Sequence, residues 1–423
     1  MVLPINARTS EAVWQILAYK QKVYLECIYK GKIMNKKKIL IVHNYYQIPG
    51  GEDTVVASEK QMLTDHGHEV VFYSKTNADL RKMGKIQKLL LPINTIFNFK
   101  TYKEIRRLIQ QARIDIVHVH NTLNLISPSV YYAARSCKIP VVQTVHNFRL
   151  LCPGAVFYRN GHVCEDCVKK GLLCAVRHRC YRNSRIQTLA CMLNLKFHRL
   201  TGIYKKINYI CLTEFNKEKL LTQKQIEPER IFVKPNFIEG GNEIVPASQR
   251  NNQFVFAGRL DELKGVKIMF EAWRKMGNNA PMLFVCGKGP LEKWCTDFIR
   301  ENKLTMIKML GFIPNVEVRK IVAISKGILL PTQWYEGFPM SIIEAFSVGT
   351  PVVCSALGNA GNIVTEGITG TKFECTSVTE LILALKRLSY SKHIHETTIN
   401  EYLKKYTQLE NYKKLNWIYE NLR

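Results

Sequence analysis

Short apolar runs recur along most of the chain and alternate with stretches whose apolar residues repeat at helical spacing. Five runs rich in β-branched residues lie in the first half, at 39–43, 69–73, 115–120, 140–146 and 209–213. Continuous apolar runs of this length are typical of parallel strands that helices cover on both faces. The pattern predicts a doubly wound α/β domain in this half.

The same pattern starts again after residue 250. Further runs predict strands at 254–258, 282–287, 306–311, 327–331 and 351–355. Ligands bind doubly wound sheets beyond the carboxyl ends of the strands. Two such domains therefore predict a binding site in the cleft between them.

These runs set the expected domain boundaries. We predict an N-terminal domain at 34–235, a linker rich in Gly, Pro and polar residues at 236–252, and a second domain at 253–385. Residues 386–423 are predicted to be helical, with the last helix, near 407–422, crossing back to the first domain. Residues 1–33 do not continue the pattern, so we expect an extension outside the fold.

Composition adds a strong charge imbalance to this picture. The chain of 423 residues has 61 basic and 34 acidic residues, for a net charge of +27. This charge indicates an anionic partner: nucleic acid, an acidic lipid surface or a phosphorylated substrate. No run of 18 apolar residues predicts a transmembrane helix, and no signal-peptide pattern opens the chain, so we expect a cytoplasmic protein.

Three residues at predicted strand ends of the first half suggest ligand contacts. Gly50 and Gly51 follow the first strand, where they allow close approach of a ligand and precede a helix with free N–H groups. His146 follows the fourth strand, where its ring can bond a substrate hydroxyl. Plain turn glycines and a capping or core histidine explain the same residues, so neither motif is specific alone.

The second half offers cations and further glycines at its strand ends. Gly258 and Arg259 follow the first strand of this half, and Lys264 comes at a helix start. A planar guanidinium and a point charge together suit a diphosphate, although both side chains also fit a solvated surface. Gly287 and Gly289 end the next strand, where a nucleotide base or ribose would pack against backbone.

Two carboxylates flank a Gly-Phe-Pro loop in the segment WYEGFPMSIIEAF. Pro339 suits the first turn of a helix, which we expect to run to about Val348. Glu336 then lies in the loop before the helix and Glu344 lies in its second turn. Beside a helix N-terminus, such a pair suits a ligand rich in hydroxyl groups, whereas a capping Glu and a solvated helix Glu are the ordinary alternative.

The order of these motifs is more specific than any one of them. The succession G-G, H-N, G-R-L-x3-K-G, G-x-G-P and E-G-F-P-x4-E resembles that of retaining glycosyltransferases of family 4, over roughly residues 35–385. The resemblance implies a GT-B fold, with two Rossmann-like domains facing a central cleft. It implies transfer of a sugar from a UDP- or GDP-linked donor, with no cofactor required for catalysis. The acceptor would be a lipid-linked glycan or a growing capsule, exopolysaccharide or lipopolysaccharide chain.

The resemblance also assigns roles to individual residues. It implies that Arg259 and Lys264 hold the donor diphosphate, that Glu336 lies beside the donor sugar, and that His146 faces the reacting centre. These four form the expected catalytic set. The remaining donor contacts would be Gly50, Gly51, Gly258, Gly287, Gly289, Gly337, Phe338, Pro339, Met340 and Glu344. Of these, Glu344 would bind the ribose hydroxyls.

An insertion at 152–208 is rich in cysteine and in basic residues. Its cysteines are Cys152, Cys164, Cys167, Cys174 and Cys180. The spacing Cys-x2-Cys at 164–167 is that of a zinc knuckle, and two of the other three could complete a structural four-cysteine zinc site. Free thiols or redox-prone pairs are the alternative.

The segment 168–208 carries ten Lys or Arg residues and no acidic residue. Within it an apolar stripe of helical spacing occupies positions 186, 189, 193, 197, 200, 203, 204 and 207. We expect this helix to pack on the first sheet; a sharper reading brings its basic side to an anionic membrane or a lipid-pyrophosphate acceptor. The second reading predicts a peripheral protein on the inner face of the cell membrane.

A different class of protein would also use a zinc cluster and a basic stripe. A basic, zinc-containing nucleic-acid-binding protein, or a noncatalytic scaffold, fits the charge of the chain. No recognised zinc-finger or single-strand-binding module is present, however, and the glycine and carboxylate motifs would have no use. We therefore predict no nucleic-acid partner.

Overall fold

The computed structural model describes residues 36–47, 50–240, 244–390 and 393–423; the predicted extension at 1–33 lies outside them. The described chain forms two parallel sheets of six strands each, with helices on both faces. This architecture confirms the two doubly wound α/β domains that the apolar runs predict. None of the described helices is both long and apolar enough to cross a bilayer.

The first sheet is built from the predicted strands and one more at its edge. The strands of this half are β1 (Lys38–Tyr45), β2 (Glu69–Thr76), β3 (Ile116–Asn121), β4 (Val141–Val145), β5 (Tyr158–Arg159), β6 (His162–Val163), β7 (Asn208–Cys211) and β8 (Ile231–Val233). The sheet order is 2-1-3-4-7-8, and β5 and β6 form a separate hairpin. The chain order therefore reverses beside β1, which places the binding crevice at the carboxyl ends of β1, β3 and β4.

The helices of this half cover both faces of the sheet. They are α1 (Gly51–Asp65), α2 (Lys85–Ile96), α3 (Phe99–Ala112), α4 (Ser129–Ser136), α5 (Asp166–Lys169), α6 (Leu173–Arg177), α7 (Arg185–Leu200) and α8 (Glu214–Leu221). Local sequence sets several of their starts. The Asn98 side chain, for example, accepts a hydrogen bond from the Thr101 N–H and caps α3.

The second half repeats the architecture. Its strands are β9 (Asn251–Ala257), β10 (Met282–Cys286), β11 (Ile307–Gly311), β12 (Ser325–Leu330), β13 (Val352–Ser355) and β14 (Gly370–Phe373), in the order 11-10-9-12-13-14. Its helices are α9 (Val266–Met276), α10 (Glu292–Glu301), α11 (Asn315–Ala323), α12 (Met340–Phe346), α13 (Gly358–Ile363), α14 (Val378–Tyr390), α15 (Ile394–Lys405) and α16 (Gln408–Glu420). Strand β9 begins inside the predicted linker 236–252, because buried Arg250 anchors that segment by donating to the Val348 carbonyl at 2.8 Å.

Burial on both faces explains why the strands are continuously apolar. Leu40 and Val42 of β1 pack into the core on one face of the sheet. Ile39 and Ile41 belong to the core on the other face. The last helix, α16, supplies much of this second core through Tyr412, Leu415, Ile418 and Tyr419. The C-terminal helix therefore packs on the first sheet, although it follows the second domain in sequence.

Helix α7 packs on the core of the first sheet as expected, but through Leu195 and not through the predicted apolar stripe. Of the stripe, only Ile203, Tyr204 and Ile207, which lie beyond the end of α7, are buried in that core. The side chains of the stripe at 186, 189, 193, 197 and 200 are exposed, with Ile186 at 75% and Leu200 at 78%. The opposite side of α7 is buried through apolar side chains such as Met192 and Leu195, and the polar groups among them find specific partners. Asn194 donates to the Thr95 carbonyl, and His198 Nε2 lies 2.9 Å from the Ile96 carbonyl of α2.

Candidate active site

The carboxyl ends of the two sheets meet at a tight contact between backbones. A Cβ atom at position 337 would lie only 2.2 Å from the carbonyl oxygen of His146, so only glycine fits there. Asn216 Nδ2, on α8, donates to the Gly337 carbonyl at 3.0 Å. The loop between β12 and α12 is therefore held directly against the segment after β4, and Glu336 and His146 lie on the two sides of this contact.

Glu336 is buried and paired with one of the predicted cations. Its Oε1 atom accepts from Lys264 Nζ at 2.7 Å and from Thr332 Oγ1 at 3.1 Å. Lys264 lies 72 residues upstream of Glu336, so their pairing joins two distant segments: the turn before α9 and the loop before α12. Lys264 remains partly accessible, so the structure places a cation and a carboxylate together at the cleft.

The neighbouring cation stands apart from this pair. The Arg259 side chain is 66% exposed, and its Nε lies 3.4 Å from Asp261 Oδ2. An exposed ion pair at this distance contributes little to the stability of the fold. The guanidinium is therefore available to an anionic ligand in the cleft.

Glu344 lines a cleft of about 420 Å³ between the two domains. Met340 and Arg319 lie on the same side, and Thr54 and Ser58 of α1 lie on the other. Burial raises the pKa of Glu344, and Arg319 partly opposes this shift. Helix α12 starts at Met340 with Pro339 as its N-cap, and ends at Phe346, two residues before the predicted end at Val348.

The remaining residues of this loop and the first glycine pair border the same cleft. Phe338 and Met340 are half-buried against the core of the second domain. A Cβ at Gly51 would lie 3.9 Å from Met340 Cγ, so the start of α1 faces the start of α12. Gly50 is the N-cap of α1, and its N–H donates to Asp53 Oδ2 at 3.0 Å.

The glycines at the ends of β9 and β10 serve a purpose that sequence reasoning did not anticipate. A Cβ at Gly287, where φ is +143°, would lie 1.9 Å from the Gly258 carbonyl oxygen. A Cβ at Gly289 would lie 2.4 Å from the Leu260 carbonyl oxygen. These glycines let two strand-end loops touch each other, so their close approach is to protein backbone.

His146 belongs to a buried chain of polar side chains. Its Nε2 lies 2.9 Å from His120 Nδ1, and His120 Nε2 lies 3.4 Å from Glu59 Oε1. Burial lowers the pKa of His146 well below its usual range. This shift favours the neutral imidazole, and the ring lies next to a cavity of about 50 Å³ inside the first domain.

Glu59, His118 and His120 are close enough to be tested as metal ligands, since their ligand atoms lie within 4.8 Å of one another. Lys234 Nζ, however, lies 2.9 Å from Glu59 Oε2. Burial opposes ionisation, but Lys234 and the histidines hold the pKa of Glu59 well below its usual range. The ammonium supplies the positive charge that a metal ion would bring, so the group fits a buried ion pair and not a cation site.

A carboxyl group at the cleft was missed by sequence reasoning. Glu52, directly after the glycine pair, accepts from Tyr46 at 2.7 Å, and Tyr46 in turn accepts from Asn147 at 3.3 Å. Burial raises the pKa of Glu52 to about 8. The only sequence signal for Glu52 was its position in the first turn of α1. An acidic residue at that position also stabilises a helix N-terminus without contacting any ligand, so the signal was not specific.

Asn359 fastens the two domains together and was also missed. Its side-chain N–H groups donate to the Gly337 carbonyl at 2.7 Å and to Asn216 Oδ1 at 2.7 Å, and its Oδ1 accepts from Thr213. Thr213 and Asn216 belong to the first domain, and Asn359 to the second. Asn362, three residues further along α13, is exposed.

The five predicted cysteines lie together, because all of them line one small cavity in the insertion of the first domain. They are Cys152, Cys164, Cys167, Cys174 and Cys180. None forms a disulfide. The zinc assignment stays a prediction at this point.

Two doubly wound sheets facing a cleft, with a Lys–Glu pair and a second Glu on the helix that follows, are the arrangement that the resemblance to GT-B glycosyltransferases implies. A family model described as "Glycosyltransferase Family 4" matches residues 49–239, and one described as "Glycosyl transferases group 1" matches residues 242–408. The two matches leave little of the described chain uncovered. The chain is a GT-B glycosyltransferase of the family 4 type.

Individual relatives agree with this family. The UDP-Gal:α-D-GlcNAc-diphosphoundecaprenol α-1,3-galactosyltransferase of Escherichia coli is 25% identical, over 84% of this chain and 89% of its own length. The solved structure of the lipopolysaccharide outer core galactosyltransferase WaaB aligns with TM-score 0.64 at 16% identity, over 91% of this chain and all of that one. Anabaena Alr3699/HepE in complex with UDP aligns with TM-score 0.62 at 15% identity and the same coverage.

Proposed function

We propose that this glycosyltransferase moves a sugar from a nucleoside diphosphate sugar to a lipid-linked or growing polysaccharide acceptor and retains the anomeric configuration. The observation that carries the proposal is the Lys264–Glu336 pair, at 2.7 Å, on a loop held against His146 of the opposite domain. A sugar between these groups has its leaving diphosphate beside cations and its hydroxyl groups beside a carboxylate. The donor thus lies in the second domain and the acceptor approaches from the first.

In this reaction the bond between the anomeric carbon and the diphosphate oxygen breaks, and a bond to the acceptor oxygen forms on the same face of the sugar. The acceptor proton passes to the departing phosphate oxygen. Lys264 and the exposed Arg259 stabilise the negative charge that develops there, which is electrostatic catalysis by preorganised groups. Because these cations neutralise the leaving group, we propose that catalysis requires no metal ion.

We propose UDP as the donor nucleotide. The E. coli relative is named for a UDP-galactose donor and a diphosphoundecaprenol acceptor, and the Anabaena neighbour was solved with UDP. Glu344, on the side of the interdomain cleft opposite the hydroxyls of Thr54 and Ser58, is suited to the ribose. A carboxyl group can bond two hydroxyl groups whether or not it is ionised, so the raised pKa of Glu344 is compatible with this role.

An exposed apolar surface supports a membrane-borne acceptor. Helices α2 and α7 pack together and both point apolar side chains outward. These side chains, here called the apolar patch, are Ile86, Leu89, Leu90, Ile93, Ile186, Leu189, Leu193, Phe197 and Leu200. Monomeric proteins rarely expose so many contiguous apolar groups. Lys85, Lys88, Arg185 and Lys196 lie on the same two helices, so we propose that the patch inserts into an anionic leaflet.

The donor assignment is tested by thermal unfolding with UDP, GDP, ADP and CMP. A nucleotide at about 100 times its Kd stabilises the folded state by about 2.7 kcal/mol. We expect UDP alone to raise Tm, and Glu344→Ala to abolish the rise. The exposed Glu229→Ala variant serves as the matched control and keeps it. A chain that binds oligonucleotides and none of the four nucleotides would favour the nucleic-acid alternative instead.

The membrane assignment is tested by flotation with vesicles. We expect binding to vesicles that contain phosphatidylglycerol and weak binding to pure phosphatidylcholine. Leu89→Glu with Leu200→Glu replaces two patch residues that are each 78% exposed, and should abolish flotation without changing Tm. Leu383→Glu, at an exposed position of the second domain, is the control. Equal flotation of both variants would refute the patch as the docking surface.

A further inference from the structure

The cysteine-rich insertion encloses one small cavity. Hairpin β5–β6 and helices α5 and α6 surround a cavity of about 10 Å³, which is the space of one small sphere. The thiols of Cys152, Cys164, Cys167, Cys174 and Cys180 line it. Cys152 and Cys167 are buried, so these sulfur atoms lie away from solvent.

The backbone around Cys152 is shaped to stabilise a thiolate. The sulfur of Cys152 lies within hydrogen-bonding reach of the Cys167 thiol and of the backbone N–H groups of Phe157, Gly154 and Ala155. Ala155 and Phe157 adopt left-handed φ angles of 68° and 49°. Such conformations at non-glycine residues persist only where the surroundings enforce them, commonly at functional sites.

Cations and close packing complete the pocket. Arg159 and Asp166 line the same cavity and form an ion pair at 2.9 Å, while the Nε of Arg159 is buried without a hydrogen-bond partner. A Cβ at Gly154 would lie 3.0 Å from the Cys180 carbonyl oxygen, so the turn after Cys152 lies directly against Cys180. An orphaned guanidinium N–H beside several thiols indicates a centre that carries negative charge.

We propose that this cluster binds one Zn²⁺ ion through Cys152, Cys164 and Cys167, with Cys174 or Cys180 as the fourth ligand. Four thiolates are the ligand set of closed, structural zinc sites, with Zn–S bonds of about 2.3 Å. Bond formation draws the sulfur atoms inward around the cavity and releases the thiol protons. A four-thiolate zinc centre has a net charge of about −2, which the free Nε–H of Arg159 and the basic segment partly offset.

The zinc site also has a mechanical link to the donor loop. Glu165, between the two knuckle cysteines, accepts from Lys219 Nζ at 2.5 Å and from Tyr335 Oη at 3.1 Å. Tyr335 directly precedes Glu336, and its ring packs edge-on against Phe215 at a centroid distance of 4.8 Å. Zinc binding at Cys164 and Cys167 therefore holds Glu165 in place, and Glu165 contacts Tyr335 in the loop of the second domain. This consequence rests on the proposed function, whereas the metal site itself does not.

Metal content tests the site directly. The full chain, purified under reducing conditions and offered Zn²⁺, should hold about one zinc per chain by elemental mass spectrometry. Titration with a mercurial should release it, and Cd²⁺ replacement should give cadmium–thiolate absorption in the ultraviolet. Cys164→Ser and Cys167→Ser should lose the ion, and Cys137→Ser, outside the cluster, should keep it. If the serine variants fail to fold, the wild-type measurements decide alone: titratable thiols with no bound zinc and no cadmium–thiolate absorption would overturn the proposal.

The link to the donor loop has its own test. Tyr335→Phe removes the hydroxyl that Glu165 accepts and leaves the ring in place. We expect full zinc content and nucleotide binding within about threefold, with kcat lowered several-fold because the loop is less firmly held. Unchanged kcat in Tyr335→Phe would refute the link. If zinc is bound but no nucleotide sugar supports transfer, the proposed function fails and the metal site stands.

Discussion

Replacing Gly337 by alanine perturbs the contact that joins the two halves of the site. The new Cβ would lie 2.2 Å from the His146 carbonyl oxygen, whereas real Cβ atoms essentially never come within 3.0 Å of another group. The loop has to retreat by at least the difference, about 0.8 Å. Hydrogen bonds from Asn216 and Asn359 to the Gly337 carbonyl oppose any such movement.

A displacement of this size acts on Glu336, which directly precedes Gly337 in the loop. Misplacement of a positioned group by about 1 Å lowers a rate by about 10²-fold, or 2.7 kcal/mol of transition-state stabilisation. Most of the predicted donor contacts in the second domain lie outside this loop and keep their positions. We therefore expect kcat/KM to fall about 100-fold while the Kd for the free nucleotide changes less than about threefold.

The assay is steady-state sugar transfer together with nucleotide titration by calorimetry. Gly84→Ala is the matched control, because a Cβ there meets nothing within 4 Å and Gly84 is remote from the cleft. This variant should keep the wild-type kcat/KM. If Gly337→Ala also keeps kcat/KM within about threefold, the observed approach of the two domains is not the catalytic one, and the reasoning fails.

Three further variants test other parts of the site. Glu52→Gln removes a carboxyl whose pKa is raised to about 8. Because the folded state keeps this proton to a higher pH than the unfolded state does, the free energy of unfolding of the wild type should fall relative to that of the variant as pH rises from 5 to 8, on the order of 4 kcal/mol. Denaturant unfolding of both proteins at the two pH values measures this difference. Lys264→Ala should lower kcat by at least about 10²-fold, measured in the transfer assay, because the leaving diphosphate loses its cation; Lys264→Arg should recover part of the loss. Glu59→Gln leaves Lys234 buried and unpaired, so urea unfolding should show a loss of about 3–5 kcal/mol, which Lys234→Met added to it should largely reverse.

The sequence was sufficient for the sheets, because a strand covered on both faces must be apolar at nearly every position. The motifs at strand ends followed, since topology brings those ends to one crevice. Periodicity revealed that α7 has an apolar stripe, but it carries no information on what covers that stripe. The buried side turned out to be held by Asn194 and His198, whose partners in the 95–96 segment are about 100 residues away in sequence.

Contacts between distant segments were also beyond sequence reasoning. Glu165 and Tyr335 are 170 residues apart, and neither has a local pattern that indicates the other. The same holds for Gly287, whose need for a missing Cβ depends on the Gly258 backbone beside it. Such residues are recognisable by type, but their partners emerge only from the assembled fold.

The position of the last helix has a consequence for biosynthesis. Until α16 leaves the ribosome, the first domain has an uncovered apolar face at Ile39 and Ile41, and the Glu59–Lys234 pair lacks the side chain of Asn411. The first sheet ends at Val233 and α16 begins at Gln408, 175 residues later. At ordinary elongation rates of about 5–20 residues per second, this separation is a delay of about 9–35 s. During this interval the nascent chain depends on chaperones or on transient contacts for solubility. A stop codon before residue 408 would make that exposure permanent, so C-terminal truncation should cause aggregation of both domains and not the release of a folded first half.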